Sequence, residues 1–181
     1  MKAPRSNTVR IIGGRFRSRL VSFPDADGLR PTPDRARETL FNWLGQDLEG
    51  LSCLDAFAGS GALGFEAISR GAARVVMLER HPLALAALRR NAAALPAPDA
   101  DIQPVDALAY LAAPGERFHV IFLDPPFALD LMPQALARAA TRLAPGGKIY
   151  AESPRTLAVD GYTILRQGRA GHSHFCLLEP A

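Results

Sequence analysis

Residues 51–72 read LSCLDAFAGSGALGFEAISRGA, and the order of residue types in this stretch decides the fold. A short apolar run ends in Asp55, a glycine-rich turn follows, and an alanine- and leucine-rich helical stretch begins after Gly61. Strand, tight turn and helix in that order open a βαβ unit. Outward from it the pattern repeats: ARVVMLE, then HPLALAALRRNAAAL, then DIQPVDA, ALAYLAA, RFHVIFLD, LMPQALARAATRLA and GKIYAES. Strand and helix alternating in this way give a parallel sheet with helices on both faces. The last stretch, YTILRQGRAGHSHFCLLEP, has no helix-length segment between its two strand-like runs. The sheet is therefore expected to finish with an antiparallel hairpin.

At 181 residues and 48% hydrophobic, the chain can build one compact domain with a full core but not two large ones. Cys53 and Cys176 are its two cysteines, far apart and without metal-ligand spacing, so neither a disulfide framework nor a metal site is expected. The opening MKAPRSNTVRII lacks the apolar run of a secretory signal, and no stretch approaches the roughly eighteen apolar residues of a membrane span. A cytoplasmic location, without a membrane partner, is the corresponding expectation.

Charge is unevenly placed. Residues 1–20 hold Lys2, Arg5, Arg10, Arg15, Arg17 and Arg19 and no acid; the chain's net +3 less these six leaves −3 for residues 21–181. A basic arm on a mildly acidic body is the footprint of a protein that grips phosphates with one end. Val9, Ile11, Phe16 and Leu20 interleave with the arginines around Gly13-Gly14, which predicts an ordered hairpin. Residues 1–27 are read as the arm and 28–181 as the main domain. In GLRPTPDRARETLFNWL, Thr32 is placed as a helix N-cap, Pro33 at the first helical position and Asp34 in the first turn. Leu40, Phe41, Trp43 and Leu44 would form that helix's packing face.

Gly59-Ser60-Gly61-Ala62-Leu63-Gly64 is a literal GxGxxG, which by itself suits a dinucleotide. Asp55, four residues before the first glycine, separates the readings. Beside a pyrophosphate a carboxylate would repel, whereas S-adenosylmethionine carries an ammonium and a sulfonium and no phosphate. Glu79 is read as ending the second strand, 18 residues after Gly61, where an acid can accept from both ribose hydroxyls. Asp106 is read as ending the third strand, in reach of the adenine amine. For each acid the alternative is a cap on the following helix.

The fourth strand ends in Asp124-Pro125-Pro126-Phe127. The Asp124 carboxylate and the Pro125 carbonyl can each accept one N–H of an exocyclic amine, at a separation that the prolines hold by fixing φ. Accepting both hydrogens out of the ring plane favours a pyramidal nitrogen whose lone pair points at a methyl donor. Phe127 would stack on the base.

With these residues assembled, the chain resembles the RsmD-type ribosomal RNA guanine-N2 methyltransferases nearly end to end. RIIGGRFRSRL (10–20), GLRPTPDRARETLFNWL (28–44), CLDAFAGSGALGFEAISRGA (53–72), VDA (105–107) and DPPF (124–127) carry the likeness. The connection between Leu95 and Asp101 is shorter than in that family. The resemblance implies a Rossmann-like class I methyltransferase with a mostly parallel seven-stranded sheet and S-adenosylmethionine as donor. The implied acceptor is the N2 amine of one guanine of 16S rRNA, in an assembled or nearly assembled small ribosomal subunit; apart from the resemblance, a monomer is expected. Cofactor contacts would come from Asp55, Phe57, Ala58, Gly59, Ser60, Gly61, Glu79, Arg80, Asp106 and Ala107. Catalysis would fall to Asp124, Pro125, Pro126 and Phe127. RNA contacts would come from Arg10, Arg15, Arg17 and Arg19 of the arm, with Arg30 and Arg35 beyond it. Adenine-N6 or glutamine-N5 methylation suits the same loop, and a non-catalytic RNA-binding module or an NAD-dependent oxidoreductase suits the same fold.

Overall fold

A computed structural model describes residues 7–26 and 29–181. Strands β3 (Ser52–Asp55), β4 (Arg74–Leu78), β5 (Ala100–Gln103), β6 (Phe118–Leu123), β7 (Leu143–Ser153), β8 (Tyr162–Ala170) and β9 (Ser173–Pro180) form one seven-stranded sheet. Their spatial order is β5-β4-β3-β6-β7-β9-β8. β3 through β7 pair in parallel, and the β8/β9 hairpin closes the sheet antiparallel. The parallel sheet and its antiparallel end are as the alternation of strand and helix predicts. The strand order reverses at β3, and this is where ligands of open α/β sheets bind, outside the carboxyl ends of the strands.

Alternation along each strand divides the apolar residues between two faces. Cys53, Val75, Met77, Val120, Phe122, Tyr150 and Phe175 face one side. There they meet α1 (Asp34–Trp43), α2 (Ala62–Ser69) and α3 (Pro82–Ala94). Leu54, Val76, Leu78, Ile121, Leu123 and Ile149 face the other, under α4 (Ala107–Ala112) and α5 (Met132–Ala139). Helix α1 buries Ala36, Leu40 and Phe41, and Phe41 lies 6.0 Å from Phe122, ring centroid to centroid. Trp43 is partly buried and packs on Phe175 at 5.4 Å.

The N-terminal strands β1 (Asn7–Arg10) and β2 (Leu20–Phe23) pair antiparallel as a separate ribbon. They do not meet at a tight Gly-Gly turn. Ile11 and Arg19 prolong the pairing, and residues 12–18 form a longer loop with Ser18 in the left-handed region at φ 69°. The loop shifts the phase of the second strand, so Val21 and Phe23 face the core and Leu20 stands 54% exposed. Val9, Ile11, Phe16, Val21 and Phe23 join the core on the face of α1, α2 and α3.

Polar contacts hold the ribbon there. The fully buried Glu66 of α2 accepts from the Ile12 and Gly13 amides at 2.9 and 2.8 Å, and from Arg70 and Arg37 at 2.9 and 3.3 Å. Gly14 is required, since a Cβ there would lie 1.9 Å from the Ser69 carbonyl oxygen. Among the described residues no helix is long and apolar enough to cross a membrane.

Candidate active site

Four carboxylates gather at the carboxyl edge of neighbouring strands: Asp106 beyond β5, Glu79 after β4, Asp55 at the end of β3 and Asp124 after β6. Each sits at or just beyond the end of a short strand, and the parallel sheet delivers those ends to the same edge. Their surroundings differ, and those differences set what each can do.

Asp55 is 1% exposed, and its Oδ2 accepts from the Gly64 amide at 3.0 Å. Burial pushes its carboxyl up to about 7; the Glu79 charge adds to the rise, and the Gly64 and Phe57 amides oppose it. Glu79 accepts from the Gly59 amide at 2.9 Å through one oxygen and from the His81 amide at 2.7 Å through the other. The turn itself needs glycine at position 61, where φ is 83° and a Cβ would lie 2.6 Å from both Leu88 and Phe65. Phe57 and Gly59 are half-buried, Ala58, Ser60 and Gly61 buried, so the turn lies against the body.

The turn therefore cannot cradle a pyrophosphate as a dinucleotide-binding loop does. The Gly59 and Gly64 amides are committed to carboxylates. A buried acid poised near neutrality instead favours a cationic ligand. Among the described residues Arg80, which follows Glu79 in the chain, pairs at 3.1 Å with Asp106. This fits S-adenosylmethionine and argues against the NAD alternative.

Asp106 lies three residues beyond the end of β5, not within the strand as its sequence position suggested. Its Oδ1 caps α4 by accepting from Ala109 at 2.9 Å, and its Oδ2 takes the Arg80 contact. The capping alternative is thus realised here, because the chain leaves the sheet at Gln103 and needs an acceptor for the first turn of α4. Ala107, the first residue of that helix, is buried.

Asp124 is held from an unexpected direction. Thr32 is not a helix cap: Pro33 occupies the cap position of α1 and makes no side-chain bond. Thr32 is 4% exposed, and its hydroxyl donates to Asp124 Oδ2 at 2.8 Å. The fixed φ of Pro33 starts the helix without a side-chain acceptor, which frees the threonine to reach across to β6. Asp124 Oδ1 accepts no hydrogen bond among the described residues, so one oxygen is fixed and the other is available. Burial drives the Asp124 carboxyl well above the ordinary carboxylate range, Glu152 and Asp55 push the same way, and Thr32 opposes them. Pro125 is buried, Pro126 exposed, and Phe127 is 44% exposed with Leu129 beside it at 62%. Two exposed apolar side chains therefore follow Asp124 within five residues of the chain.

The arginines divide into two groups. Arg15 pairs with Asp99 at 2.8 Å and Arg19 donates to the Ala94 carbonyl at 3.0 Å. Both contacts lie where α3 ends and β5 is about to begin, at the opposite edge of the sheet from Asp124; Arg17 belongs to the same loop. Helix α3 alone spans about 20 Å at 1.5 Å per residue. Arg10 donates to the Ser18 carbonyl at 3.2 Å. Arg30 and Arg35 are exposed and flank Thr32, the partner of Asp124, in the sequence. A hollow of about 340 Å³ on the C-terminal hairpin, lined by Thr156, Leu157, Gln167, Arg169, His174 and Cys176, contains none of the candidate residues.

Residues 9–179 match the family model described as "Conserved hypothetical protein 95". The chain is 43% identical over 158 residues to the ribosomal RNA small subunit methyltransferase D of Escherichia coli (strain K12), an alignment covering 84% of this chain and 80% of that one. The chain belongs to the ribosomal RNA small subunit methyltransferase D family. A solved structure of yhhF from Escherichia coli superposes on it with TM-score 0.85 and 38% identity, over 96% of this chain and 98% of the other. A 16S rRNA N2 methyltransferase (RsmC) of T. thermophilus, solved with AdoMet and guanosine, shares the fold at TM-score 0.76 and 23% identity, over 98% of this chain and 50% of that one. Family membership and fold agree with the methyltransferase reading of the acid-lined edge.

Sequence reasoning missed Thr32 as a partner of Asp124 and missed Glu152, which stands beside Asp124 on β7. It also missed Glu66, although a lone acid in the otherwise apolar run ALGFEAIS was a visible signal.

Proposed function

We propose that the chain transfers the methyl group of S-adenosylmethionine to the exocyclic N2 amine of a guanine in 16S rRNA of the small ribosomal subunit, acting in the cytoplasm as a monomer. The observation that carries this is the state of Asp124: one carboxylate oxygen is held by Thr32 and the other is open, beside an exposed Phe127, on the strand next to the acid-lined glycine turn.

Asp55 and Glu79 give the turn its preference for a cationic cofactor, and Asp106 and Arg80 form its outer rim. The bound cofactor would supply an electrophilic methyl group. Asp124 Oδ1 and the Pro125 carbonyl would each accept one amine hydrogen, turning the nitrogen lone pair out of the ring plane. Phe127 would stack on the base. Holding the two reactants in this geometry is worth several kcal/mol. As the N–C bond forms and the C–S bond breaks, the electron pair passes to sulfur and the nitrogen becomes a strong acid. Arg30 and Arg35 are the phosphate contacts nearest this point, with Arg10, Arg15, Arg17 and Arg19 reaching RNA farther away.

Small subunits from a strain lacking the endogenous activity, incubated with the protein and labelled S-adenosylmethionine, should gain one N2-methylguanine located by mass spectrometry. Methyl-adenine, a labelled protein glutamine, or no incorporation would overturn the proposal.

A further inference from the structure

Asp124 has a neighbour of its own kind. Along the parallel β6/β7 ladder, Phe122 is paired with Tyr150 and Leu123 with Ala151, so the next pair in register is Asp124 and Glu152. By alternation both carboxylates leave the sheet on the face of α1, as Phe122 and Tyr150 do. Glu152 is 3% exposed. Two adjacent carboxylates, one buried and one partly buried, cannot both carry full charge without cost, so the pair titrates as a unit.

Three hydroxyls surround the pair, and they are shared unequally. Tyr150 donates to Glu152 Oε2 at 2.9 Å, and Ser173 of β9 donates to Glu152 Oε1. Thr32 donates to Asp124 Oδ2 at 2.8 Å. Donors stabilise the ionised form, and the Thr32 hydroxyl acts on Glu152 as well as on Asp124, so Glu152 gives up its proton first, and its negative charge then raises the proton affinity of the Asp124 carboxylate. The other ionisable groups facing Asp124 are Asp55 of β3, whose charge acts in the same direction, and the Tyr150 phenol, kept neutral by burial.

We propose that Glu152 is a positioning residue of methyl transfer: fixed by Tyr150 and Ser173, it works with the Thr32 hydroxyl to make Asp124 the acceptor of the proton that the methylated amine gives up. The inference rests on the proposed reaction at Asp124. In that reaction the N–H bond breaks after the N–C bond has formed, the proton passes from nitrogen to Asp124 Oδ1, and solvent removes it once product leaves. A carboxylate in water would be a weak acceptor. A neighbouring negative charge raises its proton affinity toward the operating pH, where proton transfer is most effective.

Two substitutions should shift Asp124 in opposite directions. Glu152→Gln removes the negative neighbour and keeps the shape, so the Asp124 midpoint should fall by about one pH unit or more. Thr32→Val removes the donor, so the midpoint should rise, and Thr32→Ser should restore it. The midpoint can be read without RNA by carbon-13 NMR titration of aspartate carboxyls, with the Asp124 signal identified by its loss in Asp124→Asn. The acid limb of the kcat profile should shift with it in each variant, while cofactor affinity at pH 7.5 stays within about twofold. A folded Glu152→Gln protein with an unmoved midpoint overturns the inference. Should that variant fail to fold, the Thr32→Val and Thr32→Ser pair decides the matter, and equal midpoints in those two would overturn it as well. Midpoints that move as expected in a protein that does not methylate guanine would refute the proposed reaction alone; unmoved midpoints in an active enzyme would refute this inference alone.

Discussion

Cofactor affinity should fall steeply between pH 7.5 and 6, and Asp55 is the cause. Its burial pushes the carboxyl up to about 7, so in the free protein the group is about three-quarters ionised at pH 7.5 and roughly one-tenth at pH 6. A cationic ligand binds the ionised form, which makes affinity proportional to that fraction. The expected loss over this interval is about eightfold, or about 1.2 kcal/mol. Staying below pH 7.5 matters, because an α-amino group titrates at about 7.7–8.0 and would itself lose charge above that. Isothermal titration of the RNA-free protein with S-adenosylmethionine at four or five pH values gives the slope directly. In Asp55→Asn the affinity should be weaker and the slope nearly absent. A flat profile in the native protein, or the same slope in the variant, would refute the assignment of Asp55 as the charged partner of the cofactor.

The same group should shape stability. Asp55 keeps its proton to about 7 in the folded, ligand-free protein, whereas the unfolded chain releases it near the ordinary value of about 3.9. The native state therefore binds more protons across that window, and stability falls as pH rises through it, by up to about 4 kcal/mol. Asp124 and Glu152, both raised, act in the same direction. Urea unfolding at pH 5 and pH 7.5 checks this, and a higher stability at pH 7.5 would contradict it. Glu66→Ala leaves two ribbon amides without their acceptor and takes from the buried Arg37 one of its two carboxylate partners, so it should cost about 2–5 kcal/mol in unfolding free energy; a loss under 1 kcal/mol would show that the network relaxes. Replacing Arg30 and Arg35 with alanine should lower kcat/KM on small subunits and reduce the salt dependence more than replacing Arg15 and Arg17 does, and the reverse ranking would place the RNA at the far edge of the sheet.

What could be read before the structure was what is local. Apolar runs of strand length, each ending in an acid, and a glycine turn leading into a helix follow from residue order alone, so the parallel sheet and Asp55, Glu79 and Asp124 were visible. Thr32 was not. A threonine before Pro-Asp has the same local signature whether it caps its own helix or reaches a strand 92 residues away, and only the tertiary fold decides. Glu152 was hidden for a related reason: its partner is set by the adjacency of β6 and β7, which no neighbouring residue announces. The phase of the N-terminal ribbon went astray at Leu20 because a seven-residue loop, not a two-residue turn, separates the strands. The arginines were counted correctly as basic, but charge density along the chain says nothing about which edge of the sheet a loop reaches.

The most direct measurement is single-turnover methyl transfer by Asp124→Ala on unmodified small subunits, with cofactor binding measured on the same preparation. Affinity for S-adenosylmethionine close to that of the native protein, together with a rate reduced by orders of magnitude, is the predicted outcome. A variant that binds cofactor normally and still transfers methyl at close to the native rate would contradict the claim that the open oxygen of Asp124 grips the reacting amine.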